Sequence, residues 1–178
     1  MSERKVILYI AVSVDGYIAK ENDDISFLSV VETPGEDYGY HDFVNCIDTV
    51  VMGRKTYDKV LSFGIEFPHK GKKVYVWSRS RKGQDENVTY INDSLKDFIL
   101  QLKSTEGKNI FIDGGAALVN ELLKLRLIDQ LVISIVPYML GGGVKLFSDG
   151  RPEQNLKLLK SVAFSSGLLQ LWYSPYDK

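Results

Sequence analysis

The chain has 178 residues, with 22 Lys and Arg against 23 Asp and Glu and a formal net charge of −1. That length suits one domain, spanning 1–178, with a substantial core, and the balanced charge gives no sign of a nucleic acid or a membrane surface as bulk partner. The single cysteine, Cys46, excludes an internal disulfide and fits a reducing cytoplasm; in an apolar-patterned segment without His or Cys neighbours, it reads as a small buried hydrophobe.

Residues 6–12 form a continuous apolar, β-branched run, which predicts a central strand buried on both faces. The run stops at Asp15, too short for a membrane span, and no small-residue cleavage site follows. Asp15-Gly16 signals a turn. Residues 20–37 are polar and irregular, a loop of the kind that covers a substrate. Residues 37–47 predict a helix capped by Asp37, with Tyr40, Phe43, Val44 and Ile47 on one face. A strand over 48–52 then leads through Gly53 into a helix whose apolar face is Tyr57, Val60 and Leu61. A third buried strand covers 73–77, and the short alternating 88–91 reads as an edge strand. Ser94 caps a helix over 94–104, with Asp97 as its capping-box partner.

Residues 109–123 organise the chain: a buried strand, the turn Gly114-Gly115, and a helix with Leu118, Leu122 and Leu125 on helical spacing. A helix that starts at a glycine turn aims free N–H groups and a positive dipole end at the turn, which suits a phosphate. A strand over 129–136 ends at Pro137, followed by a glycine loop over 138–147. Residues 156–164 and 168–173 predict a closing antiparallel hairpin. Alternating strands and helices imply a mostly parallel sheet covered on both faces, with an antiparallel edge.

Three strand ends carry unusual residues: Gly53-Arg54-Lys55-Thr56 after one, Ser78-Arg79-Ser80-Arg81 after another, and Asp113-Gly114-Gly115 after the third. Strand ends of one sense share one sheet edge, where ligands bind, so two helix N-termini and two basic clusters converge there. The glycines do not form the usual dinucleotide fingerprint or a Walker loop, no spacing suits a metal, and no nucleophile elbow is present. His41 and His69 read as surface or helix-flank residues.

These motifs together resemble the dihydrofolate reductase superfamily, in particular the reductase domain of bifunctional riboflavin-biosynthesis enzymes. The stretches that carry the resemblance are 11–19, 50–57, 76–79, 112–115 and 136–143. The resemblance implies a three-layer α/β/α fold, with a mixed, mostly parallel eight-stranded sheet and a C-terminal antiparallel hairpin. It implies an NADPH-dependent reductase. Ala11 and Ile18 match positions that hold the nicotinamide carboxamide. Gly53, Arg54, Lys55 and Thr56 match the loop for the 2′-phosphate and pyrophosphate, and Ser78 and Arg79 the loop over the adenine ribose. Gly114, Gly115 and Ala116 match the pyrophosphate turn, with Leu118 near the nicotinamide. Tyr9, Phe43 and Ser134 match the substrate cleft.

The chain departs from true dihydrofolate reductases in two places. Gly39 stands where they carry a carboxylate, which argues against dihydrofolate as substrate. Asp113 replaces the first glycine of the turn, where it either repels the pyrophosphate or caps the helix. The reading is hydride transfer to a C=N or C=O carbon of a pterin-, flavin-precursor- or pyrimidine-like molecule, with water or Asp15 as the acid. The alternative is a non-catalytic NADP(H)-binding sensor or structural dimer. A cytoplasmic homodimer is expected in either case, formed through 137–147 and an exposed final strand.

Overall fold

A computed structural model describes residues 4–176. Strand β1 (Val6–Ser13) lies in the interior of a nine-stranded sheet, and its alternation sorts side chains between two layers. Val6 and Leu8 face one layer and Ile7 the other, and the same split places Val51, Ile110 and Ile112 opposite Val50, Met52 and Phe111. The other strands of the sheet are β3 (Ile47–Gly53), β4 (Lys73–Trp77), β5 (Gly83–Gln84), β6 (Thr89–Ile91), β7 (Asn109–Gly114), β8 (Gln130–Val136), β10 (Leu156–Ala163) and β11 (Leu169–Pro175). Their order is β10-β11-β8-β1-β7-β3-β4-β6-β5. The run from β8 to β6 is parallel, while β10, β11 and β5 pair antiparallel to their neighbours. A second, two-stranded sheet joins β2 (Tyr17–Ala19) to β9 (Val144–Lys145).

Helices cover both faces, as the three-layer reading requires. α3 (Leu95–Ser104) and α4 (Ala116–Lys124) bury Leu95, Ile99, Leu102, Leu118, Val119 and Leu122 against Leu8 and Ile112. Each fully buried Leu or Ile is worth about 1.5–3 kcal/mol of transfer free energy, so these helices are held by their apolar stripes. Ser94 Oγ accepts the N–H of Asp97 at the start of α3, the cap read from the sequence. On the other face α1 (Tyr40–Asn45) contributes Phe43, and α2 (Arg54–Ser62) contributes the fully buried Tyr57.

Several expectations are corrected. The sheet has nine strands, because the two-residue β5 pairs outside β6; residues 89–91 are therefore not the edge. Residues 20–37 contain two 3₁₀ segments, Glu21–Asp23 and Ser26–Val31, and the second buries Phe27 and Val31 against Val136 and Leu168. α1 is six residues long: Ile47 opens β3, and Gly39 rather than Asp37 holds the N-cap position, while Asp37 accepts the N–H of Gly39 and that of His41 in the first turn of the helix. The glycine loop includes β9, where Gly143 (φ 120°) lies so close to β2 that a Cβ would stand 2.2 Å from the carbonyl oxygen of Ala19. The exposed edge is β10 and not the final strand, which lies between β10 and β8. Cys46 is exposed, because it ends α1 at the surface turn into β3.

Candidate active site

The carboxyl ends of β3, β4 and β7 bring their turns together, and the crevice they frame is a cleft of about 650 Å³. Its floor is backbone. A Cβ on Gly53 would meet the Gly115 nitrogen at 3.4 Å, and one on Gly115 would stand 2.9 Å from Thr56 Oγ1. Glycine is required because the two turns pack against each other; the peptide between Gly114 and Gly115 is cis. α2 starts at Gly53 and α4 at Gly115, and neither has a side-chain cap. Their first N–H groups are thus left to the cleft, with the positive ends of both helix dipoles.

All twelve residues matched to the cofactor line this cleft: Ala11 and Ile18 at one end, Gly53, Arg54, Lys55 and Thr56 along α2, Ser78 and Arg79 after β4, and Gly114, Gly115, Ala116 and Leu118 around α4. Ser78 Oγ accepts the N–H groups of Ser80 and Arg81 and so shapes the basic loop. Beyond Trp77 and Arg79 the cleft opens into a second hollow of about 370 Å³, where Lys124 and Lys145 add positive charge. Asn120 braces that side: it donates to the carbonyls of Ala116 and Leu146 and accepts the N–H of Ser148.

The other end of the cleft is aromatic. Tyr9 lines it, Phe43 stacks on Tyr9 with ring centroids 4.5 Å apart, and Tyr40 meets Tyr9 edge-on at 5.8 Å. Burial pushes the Tyr9 hydroxyl above its ordinary pKa, so it stays protonated and donates to the carbonyl of Tyr38 at 3.0 Å. Gln170 Nε2 donates to the Tyr9 hydroxyl at 2.8 Å and to Ser134 Oγ at 2.9 Å. Phe43 and Ser134 thus stand behind Tyr9 rather than in the cleft wall. Gln170 was not read from the sequence; a polar residue within an apolar strand was its one signal.

Two sequence readings of acidic groups fail. Asp15 accepts the hydroxyl of Ser13 and the N–H groups of Leu140 and Gly141, and the Ser13 bond foremost lowers its pKa to about 2. It ties the glycine loop to the end of β1, remains ionised near neutrality, and is not placed to act as an acid. Asp113 neither caps α4 nor points into the glycine turn. Its Oδ2 lies 2.8 Å from Nε2 of His69. His69 is not a surface residue but 3% exposed, its ring edged by Phe67 and Phe111. Asp113 lines the cleft, so a buried histidine backs a carboxylate that reaches the ligand space. Desolvation, and then the charge of Asp113, push the Tyr40 phenol up to about 12, which places that hydroxyl in the field of the carboxylate. Among the described residues no cluster of His, Cys, Asp and Glu could hold a metal ion, and no helix is long and apolar enough to cross a membrane.

Residues 4–170 match the RibD C-terminal domain family. The chain belongs to that family. It is 44% identical to the Bacillus subtilis (strain 168) protein YwjB over 172 residues, covering 96% of this chain and 98% of YwjB. A crystal structure of a putative riboflavin biosynthesis protein from Shewanella sp. PV-4 superposes with a TM-score of 0.88 at 33% identity, covering 96% of this chain and 98% of that one. The fold is shared with the diaminohydroxyphosphoribosylaminopyrimidine deaminase/5-amino-6-(5-phosphoribosylamino)uracil reductase of Thermotoga maritima, with a TM-score of 0.71 at 17% identity, over 97% of this chain and 57% of that one. The family and the riboflavin-type fold expected from the motifs are therefore established.

Proposed function

We propose that this protein is an NADPH-dependent reductase acting on a small heterocycle of the pterin, flavin-precursor or pyrimidine kind. The observation that carries the reading is one continuous cleft with a phosphate-binding end and an aromatic, carboxylate-bearing end. The glycine cradle fits a dinucleotide: no Cβ obstructs it, and two uncapped helix N-termini face it. Gly53, Thr56, Gly114, Gly115 and Ala116 would hold the pyrophosphate, and Arg54, Lys55 and Arg79 the 2′-phosphate. The hollow beyond Trp77 would take the adenosine, and Ala11 and Ile18 the nicotinamide. When bound, NADPH supplies the hydride.

The residues of this chain position the acceptor. Tyr9 offers an aromatic face at the cleft wall for a heterocyclic ring, backed by Phe43 stacked on it and by Tyr40 against its edge. Reduction of a C=N bond needs a proton on nitrogen; the Asp113 carboxylate, held by His69, would take that proton up from water in the open cleft and pass it to the nitrogen. The carboxylate missing at Gly39, ahead of α1, would thereby be replaced by one from the end of β7.

The test pairs binding with turnover. NADPH should bind to the wild type, Arg79→Ala should weaken it by about 1.5–3 kcal/mol, and a substrate panel should reveal oxidation of NADPH. Asp113→Asn should lower kcat by roughly 10²–10⁴ and leave NADPH affinity unchanged. Stoichiometric NADPH binding with no oxidation across pterins, flavin precursors and pyrimidines would favour a dinucleotide-binding sensor instead. A second copy of the chain is the partner that suits the β10 edge, where Leu158 and Leu159, at a break in the strand register, are each 50% exposed. A clean monomer in sedimentation at micromolar concentration would refute that assembly.

A further inference from the structure

One cation on the rim of the cleft, Arg54, is not a free charge. Asp58 lies one turn after Arg54 on α2 and holds two arginines at once. Its Oδ2 accepts Arg54 Nη1 at 2.9 Å and Arg81 Nη2 at 3.2 Å, while its Oδ1 accepts Arg81 Nη1 at 2.7 Å. The two arginines are not equivalent. Arg81 grips both carboxylate oxygens as a fork, whereas Arg54 shares one of them. Withdrawing Arg54 leaves Asp58 with a bidentate partner, but withdrawing Arg81 leaves it with a single bond. Arg81 is also fixed from behind: its guanidinium lies 5.8 Å from the Tyr90 ring centre, and the Tyr90 hydroxyl donates to Asp85 at 2.6 Å. Arg54 lines the cleft, and Arg81 does not. The Asp58–Arg81 pair is therefore the fixed part and Arg54 the movable one.

We propose that Asp58 is a cofactor-selectivity residue: it competes with the ribose 2′-phosphate of a phosphorylated dinucleotide for Arg54, and Arg81 sets the strength of that competition. This rests on the cofactor reading above. The side chains of Arg54, Asp58 and Arg81 are 40%, 34% and 41% exposed, so the resting Arg54–Asp58 contact is weak and exchangeable. A phosphate brings more negative charge and more acceptor oxygens than a carboxylate already satisfied by Arg81, and it takes Arg54 over. A dinucleotide without the 2′-phosphate offers nothing to that guanidinium, and Arg54 stays on Asp58. Arg79, Lys55 and Lys59 also line this part of the cleft, and none of them has an ion-pair partner among the described residues. Asp58 therefore tunes discrimination rather than creating it.

Calorimetric titration of NADPH and NADH into the intact protein tests this, with thermal unfolding as a control for the variants. Asp58→Asn frees Arg54 and tightens NADPH about 3- to 10-fold, the scale of one partly screened charge at this range, while NADH is unchanged. Arg81→Ala has the opposite sign: Asp58 loses its fork and holds Arg54 harder, so NADPH weakens severalfold although Arg81 never reaches the cleft. In the Asp58→Asn background the Arg81→Ala effect disappears. Both differences shrink at roughly 0.5 M salt. The proposal is overturned if Asp58→Asn weakens NADPH or moves both dinucleotides equally, or if the Arg81→Ala effect persists without the carboxylate. Wild type that binds neither dinucleotide removes the cofactor reading and this one together. Wild type that prefers NADPH, with an unchanged preference in Asp58→Asn, removes this one alone.

Discussion

The two edges of the sheet handle charge in opposite ways. At the carboxyl edge, around β3, β4 and β7, cations are partly exposed and either share one carboxylate or line the cleft without an ion-pair partner. At the amino edge Arg4 is 6% exposed, and its five N–H donors are all used. They go to the carbonyls of Leu102 and Lys108, the hydroxyls of Thr49 and Thr105, and the carboxylate of Asp48. Lys103 and Asp129 pair nearby at 3.0 Å, and Asp129 also accepts the Val6 N–H that opens β1. A saturated guanidinium ties strand starts to the end of α3 and has no donor left for a ligand. An incompletely satisfied one keeps donors in reserve. Identical residue types are locked into the fold at one edge and keep donors open to the cleft at the other, and donor saturation separates the two.

The largest test of this contrast is Arg4→Met. It removes the cation that pairs with Asp48 and a donor from each of the carbonyls of Leu102 and Lys108, and should cost about 3 kcal/mol, read as a lower urea midpoint. NADPH affinity should be unchanged, and a loss of affinity equal to the loss of stability would erase the distinction between the edges. Gly115→Ala should do the reverse. Its Cβ would stand 2.9 Å from Thr56 Oγ1 and intrude on the backbone cradle, so NADPH should weaken at least about tenfold, about 1.4 kcal/mol, with a smaller change in stability. Thr56→Ala in that background removes the overlap and should recover part of the affinity.

The smallest effect concerns Asp15, at the carboxyl edge but structural in role. Its folded pKa, about 2, lies below the ordinary 3.8. Its contribution is therefore present in full above the unfolded value and is lost as pH falls through that window. Thermal unfolding followed from about pH 5 to about pH 2 should show wild type losing slightly more stability than Asp15→Asn across the window. Equal losses would mean that the bonds of Asp15 to Ser13, Leu140 and Gly141 do not favour its ionised form in the folded protein.

Much of this was legible in the chain. Apolar β-branched runs such as residues 6–12 and 110–112 sort onto two buried faces by simple alternation, so the central strands were readable. Glycine turns before α2 and α4 were readable because a helix that begins at a bare turn exposes the same N–H groups whatever surrounds it. The short elements were not. β5 and β9 have two residues each, too few for any periodicity. The length of α1 was misread because Ile47 continues its apolar spacing yet is claimed by β3.

The order of residues was enough for the layers, the sheet edge that carries the cleft, and the residues of its glycine-rich, basic end, because each follows from local pattern and strand direction. Tertiary structure alone decided the partners of the charges. His69 and Asp113 are 44 residues apart and Asp58 and Arg81 are 23 apart, and only the packed sheet brings each pair within hydrogen-bonding distance. Hydrogen bonds and ion pairs act over a few ångströms, so the state of a carboxylate or a guanidinium belongs to its neighbours in space and leaves no mark in the order of the chain.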